Sequence, residues 1–269
     1  MGGAERNARK RRQQQQAAGK QAVAKARRGT DAKRIGIIVA AVVVVAGVVI
    51  GGLIWTNASR NATEGHTIAT VQPVSSQYPE RREGLVVVTG NPDAKTTIDV
   101  YADFLCPVCR QFQQTYGKQI EQKVADGVLQ VRTHMIPLLV NRSDPPGYSL
   151  DSANAALLAA EEGKFTAFHD SLFASQPEEG KRGYSKEQLI QLGRDLGITG
   201  QAFANGVNGG MFDQQLTAEM QRISQDQALQ RDFGNGQHGF GTPTVSANGA
   251  LVDYTDPQWL DKLIATNQS

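Results

Sequence analysis

The residues with the clearest chemical potential are Cys106 and Cys109, which are the only cysteines in the chain of 269 residues. They follow an apolar run that begins at Thr97 and is typical of a buried strand. A strand that delivers a Cys-x-x-Cys pair to the start of a helix holds two sulfurs close enough for reversible disulfide exchange. The pair therefore predicts thiol redox chemistry.

The two cysteines are expected to have different roles. At the N-terminal edge of a helix, the sulfur of Cys106 faces unpaired backbone N–H groups and the positive end of the helix dipole, which stabilise a thiolate. We therefore expect Cys106 to be the nucleophile. Cys109 lies one turn further in and is more shielded, which suits the resolving thiol. Pro107 has no N–H group and a φ already suited to a first helical turn.

A second segment, Gly241-Thr242-Pro243-Thr244-Val245, places a proline among small and β-branched residues. Such a sequence is typical of a turn with a cis X-Pro peptide bond just before a strand.

Other uses of the cysteines are less consistent with the sequence. The four histidines are scattered without paired ligand spacing, so a zinc site is not expected, and neither a metal nor a cofactor is predicted. Residue 110 is arginine, which removes the Cys-x-x-Cys-His haem attachment motif. A purely structural disulfide would close a loop with only two intervening residues and gain little chain entropy.

The N-terminal part of the chain differs from the rest in charge. Residues 1–34 contain eleven Lys and Arg residues against Glu5 and Asp31, which leaves 17 basic and 24 acidic residues elsewhere, a formal net charge of about −7. We expect this tail to be disordered and cytoplasmic, near anionic lipid. No aromatic residue is interleaved with the charges, so nucleic acid binding is not predicted.

Residues 35–55 carry no charge and are long enough to cross a bilayer. A cleaved signal peptide is the alternative, but its apolar core and basic leader are usually shorter. The sequence therefore predicts one transmembrane helix in the cell membrane, with the N-terminus cytoplasmic and the C-terminal domain extracytoplasmic by the positive-inside rule.

The remaining sequence predicts alternating elements of both types. Residues 56–83 are expected to be a linker that holds the domain off the surface. Strands are predicted at 85–88, 97–101 and 129–136, with a hairpin at 243–247 and 250–252 around Asn248-Gly249. Helices are predicted at 107–124, 149–162, 164–174, 186–196 and 201–230, and a last one begins at Asp256-Pro257.

This order resembles the DsbA family of extracytoplasmic thiol:disulfide oxidoreductases. The most specific similarities are at residues 103–109, 165–173 and 239–244. The resemblance implies an α/β, thioredoxin-like fold over residues 84–269, with an all-helical subdomain inserted at about 145–235. It also implies that Thr242-Pro243 is cis and lies beside Cys106, where the Thr242 backbone is exposed and pairs with an extended substrate.

Other residues near the two motifs are assigned with the help of this resemblance. Leu105 and Phe240 are expected to line an apolar substrate groove. Pro107 and Val108 are expected to tune the potential of the pair. Val108 stands where the best-known member of the family has histidine, so we expect a weaker oxidant than that member, which Pro107 and the extracytoplasmic compartment keep oxidising. Val100 occupies the position of a buried carboxylate in many thioredoxin-fold enzymes. Strand alternation places Asp99 and Asp103 on the opposite face, which leaves that role unassigned.

The function implied is the introduction of disulfides into exported cysteine-containing proteins, with recharging by a membrane quinone-linked oxidase of the DsbB or VKOR type. A reductase or isomerase supplied with electrons from the membrane is an alternative. A non-catalytic envelope binding module or chaperone is another.

Overall fold

The structure is a computed structural model that describes residues 10, 44–52, 56, 60–73, 79–234 and 236–268. The chain divides into two compact units, residues 1–58 and 59–269. In the first unit, residues 44–52 are helical. The rest of the predicted span at 35–55, and the predicted basic tail apart from Lys10, lie outside the described residues. Within the described parts of the chain, no helix has both the length and the apolar character needed to cross a membrane.

Six strands of the second unit form a mixed sheet in the order β1-β2-β4-β3-β7-β8. The central strands β3 and β4 are parallel, and the other neighbours are antiparallel. A separate two-stranded hairpin contains β5 and β6. The strands are β1 (Glu80–Glu83), β2 (Val86–Thr89), β3 (Thr96–Ala102), β4 (Leu129–Met135), β5 (Arg231–Asp232), β6 (His238–Gly239), β7 (Thr244–Ala247) and β8 (Ala250–Leu251).

Helices cover the sheet and form the insertion between β4 and β5. The helices are α1 (Pro107–Ala125), α2 (Tyr148–Glu161), α3 (Phe165–Ala174), α4 (Lys186–Asp195), α5 (Gln201–Gly209), α6 (Asp213–Ser224) and α7 (Trp259–Gln268), with a 3₁₀ turn at Gln227–Leu229. The alanine-rich α2 is the centre of the insertion, because most of its residues are buried. The predicted α/β thioredoxin-like fold with a helical insertion is confirmed.

Several local predictions agree with the structure. Strand β3 buries Ile98 and Val100 with the half-buried Asp99 between them, as its alternating sequence predicts. Asn248 and Gly249 join β7 to β8 with φ values of 54° and 78°, the positive values that a two-residue hairpin turn requires. Asp256 accepts a hydrogen bond from the N–H of Gln258 just before α7, although the regular helix begins two residues after the predicted first helical position.

The predicted single helix at 201–230 is wrong. Gly210 ends α5 with a φ of 60°, and a second helix begins at Asp213. The left-handed conformation at Gly210 satisfies the helix end and redirects the chain.

The predicted linker is also wrong for much of its length. Ile68 is only 3% exposed and belongs to the main hydrophobic core. The hydroxyl of Thr63 donates to the carbonyls of Arg182 and Gly183, and the side chain of Gln188 donates to the Thr63 carbonyl. Residues 80–83 form the edge strand β1. Residues 60–73 are therefore a docked segment of the folded domain.

Candidate functional site

Cys106 occupies the N-cap position of α1, with extended backbone angles, and Pro107 is the first helical residue. Two backbone hydrogen bonds hold the transition from the loop after β3 into α1. The N–H of Cys106 donates to the carbonyl of Asp103, and the N–H of Arg110 donates to the carbonyl of Cys106. Both cysteines are free thiols in this structure. Both are buried, with Cys109 2% and Cys106 6% exposed, but of the two only Cys106 lines an open depression.

The proline turn lies against Cys106, as the resemblance implies. The Thr242-Pro243 bond is cis, and the sulfur of Cys106 lies 3.3 Å from the carbonyl oxygen of Thr242. The thiol form donates a hydrogen bond to this oxygen. Thr242 itself is buried, so its backbone is less open than expected.

The environment separates the acidities of the two thiols. Hydrogen bonding with the Cys109 side chain lowers the pKa of Cys106 to about 6, with further lowering by the Thr242 side chain and the N–H groups of Cys109 and Val108, against an opposing effect of burial. Burial raises the pKa of Cys109 well above its ordinary value, and its hydrogen bond to Cys106 raises it further. Near neutral pH, Cys106 is thus a thiolate, whereas Cys109 remains a protonated thiol.

Asp103 is a site residue whose role the sequence does not predict. Its carboxylate accepts hydrogen bonds from the N–H of Leu105 at 2.8 Å, the N–H of Leu139 at 2.7 Å and the hydroxyl of Ser149 at 2.8 Å. Burial raises its pKa to about 6, and the negative charge of Cys106 contributes to that rise. The face predicted from strand alternation does not apply, because β3 ends at Ala102.

Asp99 is not part of this site. Its carboxylate bonds to the side chains of Arg132 at 3.1 Å and His134 at 2.8 Å, on the strand that neighbours β3. His134 also stacks on Tyr101 and is buried, which gives it a packing role.

Gln176 is a second residue that sequence reasoning missed. It follows α3 in the insertion, and its side-chain N–H group donates to the carbonyls of Phe104 at 2.9 Å and Cys106 at 3.0 Å. The side chain is buried, so it supplies both carbonyls with a donor that water would otherwise provide. The insertion therefore holds the loop that carries Cys106.

An open depression of about 530 Å³ has Cys106 in its wall. Its walls include Val108 in the first turn of α1, Leu139 after β4, and Arg231 and Phe233 on the β5–β6 hairpin. The predicted groove residues differ from these. Leu105 is fully buried and is not available to a substrate, and Phe240 packs at its ring edge against Tyr101.

Among the described residues, no group of three His, Cys, Asp or Glu side chains is placed to hold a metal ion. His169 bonds to its neighbour Asp170 and packs on Phe104 and Phe173.

The fold and the cysteine geometry define a protein of the thioredoxin type. A family model described as thioredoxin matches residues 83–266, so the chain belongs to the thioredoxin family. The chain is also 29% identical over 184 residues to the serine/threonine-protein kinase PknE of Mycobacterium tuberculosis. That match covers 66% of this chain but only 31% of the kinase.

Solved structures share the fold. Reduced DsbA from Mycobacterium tuberculosis superimposes with a TM-score of 0.56 and 24% identity, over 71% of this chain and 92% of that chain. The disulfide bond oxidoreductase DsbG from the same organism gives 0.54 and 24%, over 72% and 95%. MdbA, a thiol-disulfide oxidoreductase from Corynebacterium matruchotii, gives 0.53 and 19%, over 75% and 96%. The family and the shared fold support a thiol:disulfide oxidoreductase.

Proposed function

We propose that this protein introduces disulfide bonds into exported proteins through the Cys106-Cys109 pair. The observation that carries the proposal is the asymmetry of the two sulfurs. Cys106 borders the depression and has a pKa lowered to about 6, whereas Cys109 is buried and has a raised pKa. A good leaving thiolate beside a shielded partner favours the reduced state of the enzyme and therefore the oxidation of clients.

The exchange proceeds in two steps. A client thiolate attacks the sulfur of Cys106 in the oxidised enzyme; the Cys106-Cys109 bond breaks, and Cys109 leaves as a thiolate that takes up a proton. A second client thiolate then attacks the client sulfur of the mixed disulfide. Cys106 is released as a thiolate, the client has lost two electrons, and the enzyme has gained them.

The location rests on the sequence of the N-terminal part. An uncharged stretch at 35–55 preceded by a basic tail supports a single membrane anchor with the thioredoxin domain on the extracytoplasmic side. In that compartment the reduced pair needs an electron acceptor, and we propose a membrane quinone-linked oxidase of the DsbB or VKOR type. The same location would also suit a reductase or an isomerase. A more negative reduction potential of the Cys106-Cys109 pair would favour either of these functions.

The test is a redox titration of the full chain against glutathione, together with an assay of disulfide formation in a reduced unfolded client. We expect a potential above that of the glutathione range and client oxidation that is lost in Cys106→Ala. A potential near that of thioredoxin, about −270 mV, would assign the reductase function. Client folding that is unchanged in Cys106→Ala would assign a non-catalytic binding function instead.

A further inference from the structure

The wall of the depression beside Cys106 includes Arg231, a positively charged side chain with no carboxylate partner among the described residues. Of the charged groups in its wall, Glu179 pairs with Arg142, and the carboxylate of Asp232 accepts the N–H of Gly234. The guanidinium of Arg231 has no carboxylate partner among the described residues. Its Nη1 lies 3.3 Å from the hydroxyl of Tyr254, and its Nε is buried without a hydrogen-bond partner among those residues.

Arg231 is held in a defined position by uncharged contacts. Its guanidinium lies over the ring of Phe233, 5.1 Å from the ring centroid, and both residues belong to the wall of the depression. The hydroxyl of Tyr254 donates in turn to the carbonyl of Pro243 at 3.2 Å. This links the cation to the proline turn that contacts the nucleophilic sulfur.

Gly241 makes this arrangement possible. A Cβ atom at that position would lie 2.9 Å from the Phe233 ring and 3.1 Å from the Arg231 guanidinium. The absence of a side chain lets the pair pack directly against the segment that leads into Thr242. The hairpin is therefore fitted to the edge of the depression.

Phe233 also offers an exposed apolar surface. Its side chain is 54% exposed and Val108, in the same wall, is 50% exposed. Large apolar side chains that remain this open beside a reactive sulfur favour contact with an apolar partner. An aromatic ring beneath a guanidinium further allows an acidic group to bind the cation while an apolar group covers the ring.

We propose that the Arg231-Phe233 pair is a specificity site that selects client segments with an acidic side chain next to the reactive cysteine and an apolar side chain beside it. The inference rests on the proposed function, because the occupant is an extended segment of a reduced client. The client carboxylate forms a charge-assisted hydrogen bond with Arg231, and its apolar neighbour packs on Phe233 and Val108. Neither group takes part in the exchange of bonds between sulfurs.

The test uses oxidised full-length protein and three synthetic dithiol peptides that differ only in having Glu, Gln or Lys beside the first cysteine, with dithiothreitol as a thiol that needs no groove. The charge beside the cysteine also changes the reactivity of the peptide thiol itself. For each protein variant we therefore divide the rate with the Glu peptide by the rate with the Lys peptide, and compare this ratio with that of the unsubstituted protein. We expect Arg231→Gln to reduce this ratio by about tenfold. Arg194→Gln, a matched change at an exposed position on α4, should leave it unchanged.

Phe233→Ala should slow all three peptides by about three- to tenfold without changing the rate with dithiothreitol. Met211→Ala is the matched control, since Met211 is 57% exposed and lies in the helical insertion away from the depression. A ratio unaffected by Arg231→Gln overturns the inference, as does an equal loss with peptides and dithiothreitol, which would place the effect on the sulfur. A wild-type protein that oxidises neither peptides nor dithiothreitol refutes the proposed function and this inference together.

Discussion

The carboxylate of Asp103 accepts a hydrogen bond from the hydroxyl of Ser149 at 2.8 Å, which joins the end of the central strand β3 to the first helix of the insertion. The same carboxylate accepts the N–H groups of Leu105 and Leu139. One buried carboxylate therefore holds three parts of the site together: Leu105 before Cys106, Leu139 in the wall of the depression, and the first helix of the insertion. Its titration is coupled to that of Cys106 because the charges of the two groups disfavour each other.

Asp103→Asn should lower the pKa of Cys106, because it removes a nearby negative charge. We expect a lower midpoint when the thiolate absorbance of the reduced protein is followed against pH. Ser149→Ala removes one hydrogen bond but keeps the carboxyl group, so it is the matched control and should lower the Cys106 midpoint by a smaller amount or leave it unchanged. An unchanged midpoint in Asp103→Asn would contradict the coupling.

The acidity of Cys106 predicts a pH-dependent stability of the reduced protein. Its folded pKa of about 6 lies below the ordinary value of 9.0, so its contribution is fully present above pH 9 and is lost as the pH falls through 6. Asp103 has the opposite sign, since its folded pKa is raised from 3.8 to about 6 and its contribution is lost as the pH rises through that range.

Urea unfolding of the reduced and oxidised forms separates these effects. Both forms contain Asp103, but only the reduced form has the Cys106 thiol, so the stability of the reduced form relative to the oxidised form should increase from pH 6 to pH 8. Reduced Cys106→Ser should not show this increase. A difference that stays constant over this range would contradict the lowered pKa.

Gln176 predicts a link between the insertion and the loop of the nucleophile. Gln176→Ala leaves the buried carbonyl of Phe104 without its donor and the carbonyl of Cys106 with only the N–H of Arg110, which should reduce the free energy of unfolding by about 1–3 kcal/mol. The measurement is denaturant unfolding of the reduced protein. Gln191→Ala removes a bond to Asp195 on the surface of α4 and should change stability by less than about 0.5 kcal/mol.

A substitution at Val108 should change the reduction potential of the Cys106-Cys109 pair. Val108→His would place a partly protonated ring in the first turn of α1, where a positive charge stabilises the Cys106 thiolate. A more stable thiolate favours the reduced state, so the pair should become more oxidising in equilibrium with glutathione. Val108→Gln is the uncharged control. Equal potentials in the two variants would show that charge at this position does not reach the sulfur.

The docked segment at 60–73 should contribute to the stability of the domain. Ile68→Ala removes a buried side chain from the main core and should cost about 2–5 kcal/mol of unfolding free energy. Leu251→Ala, a similar truncation at a position that is 39% exposed, is the control. If the two substitutions have equal effects in denaturant unfolding, Ile68 does not belong to the cooperative unit.

The sequence was informative where structure depends on neighbouring residues. The strand before Cys106, the proline in the first turn of α1 and the Asn248-Gly249 turn all follow from local periodicity and turn chemistry. The resemblance to a known family added the cis bond at Thr242-Pro243 and its place beside the sulfur.

The sequence was less informative where partners are distant. The hydrogen-bond partners of Asp103 include residues 36 and 46 positions away, and no periodic pattern connects them. Gln176 lies in a loop, and its contacts with the nucleophile cross 70 residues. The composition of residues 60–73 is polar, and the segment is ordered by bonds to backbone groups more than 100 residues later in the chain.

The enclosure of Cys109 has a consequence for how clients are held. Of the two cysteines only Cys106 lines the open depression, so under the proposed function a client has a single point of covalent attachment. Every trapped mixed disulfide is therefore expected at Cys106. If several isomers of such a conjugate form, they differ in which cysteine of the client is bonded to the enzyme.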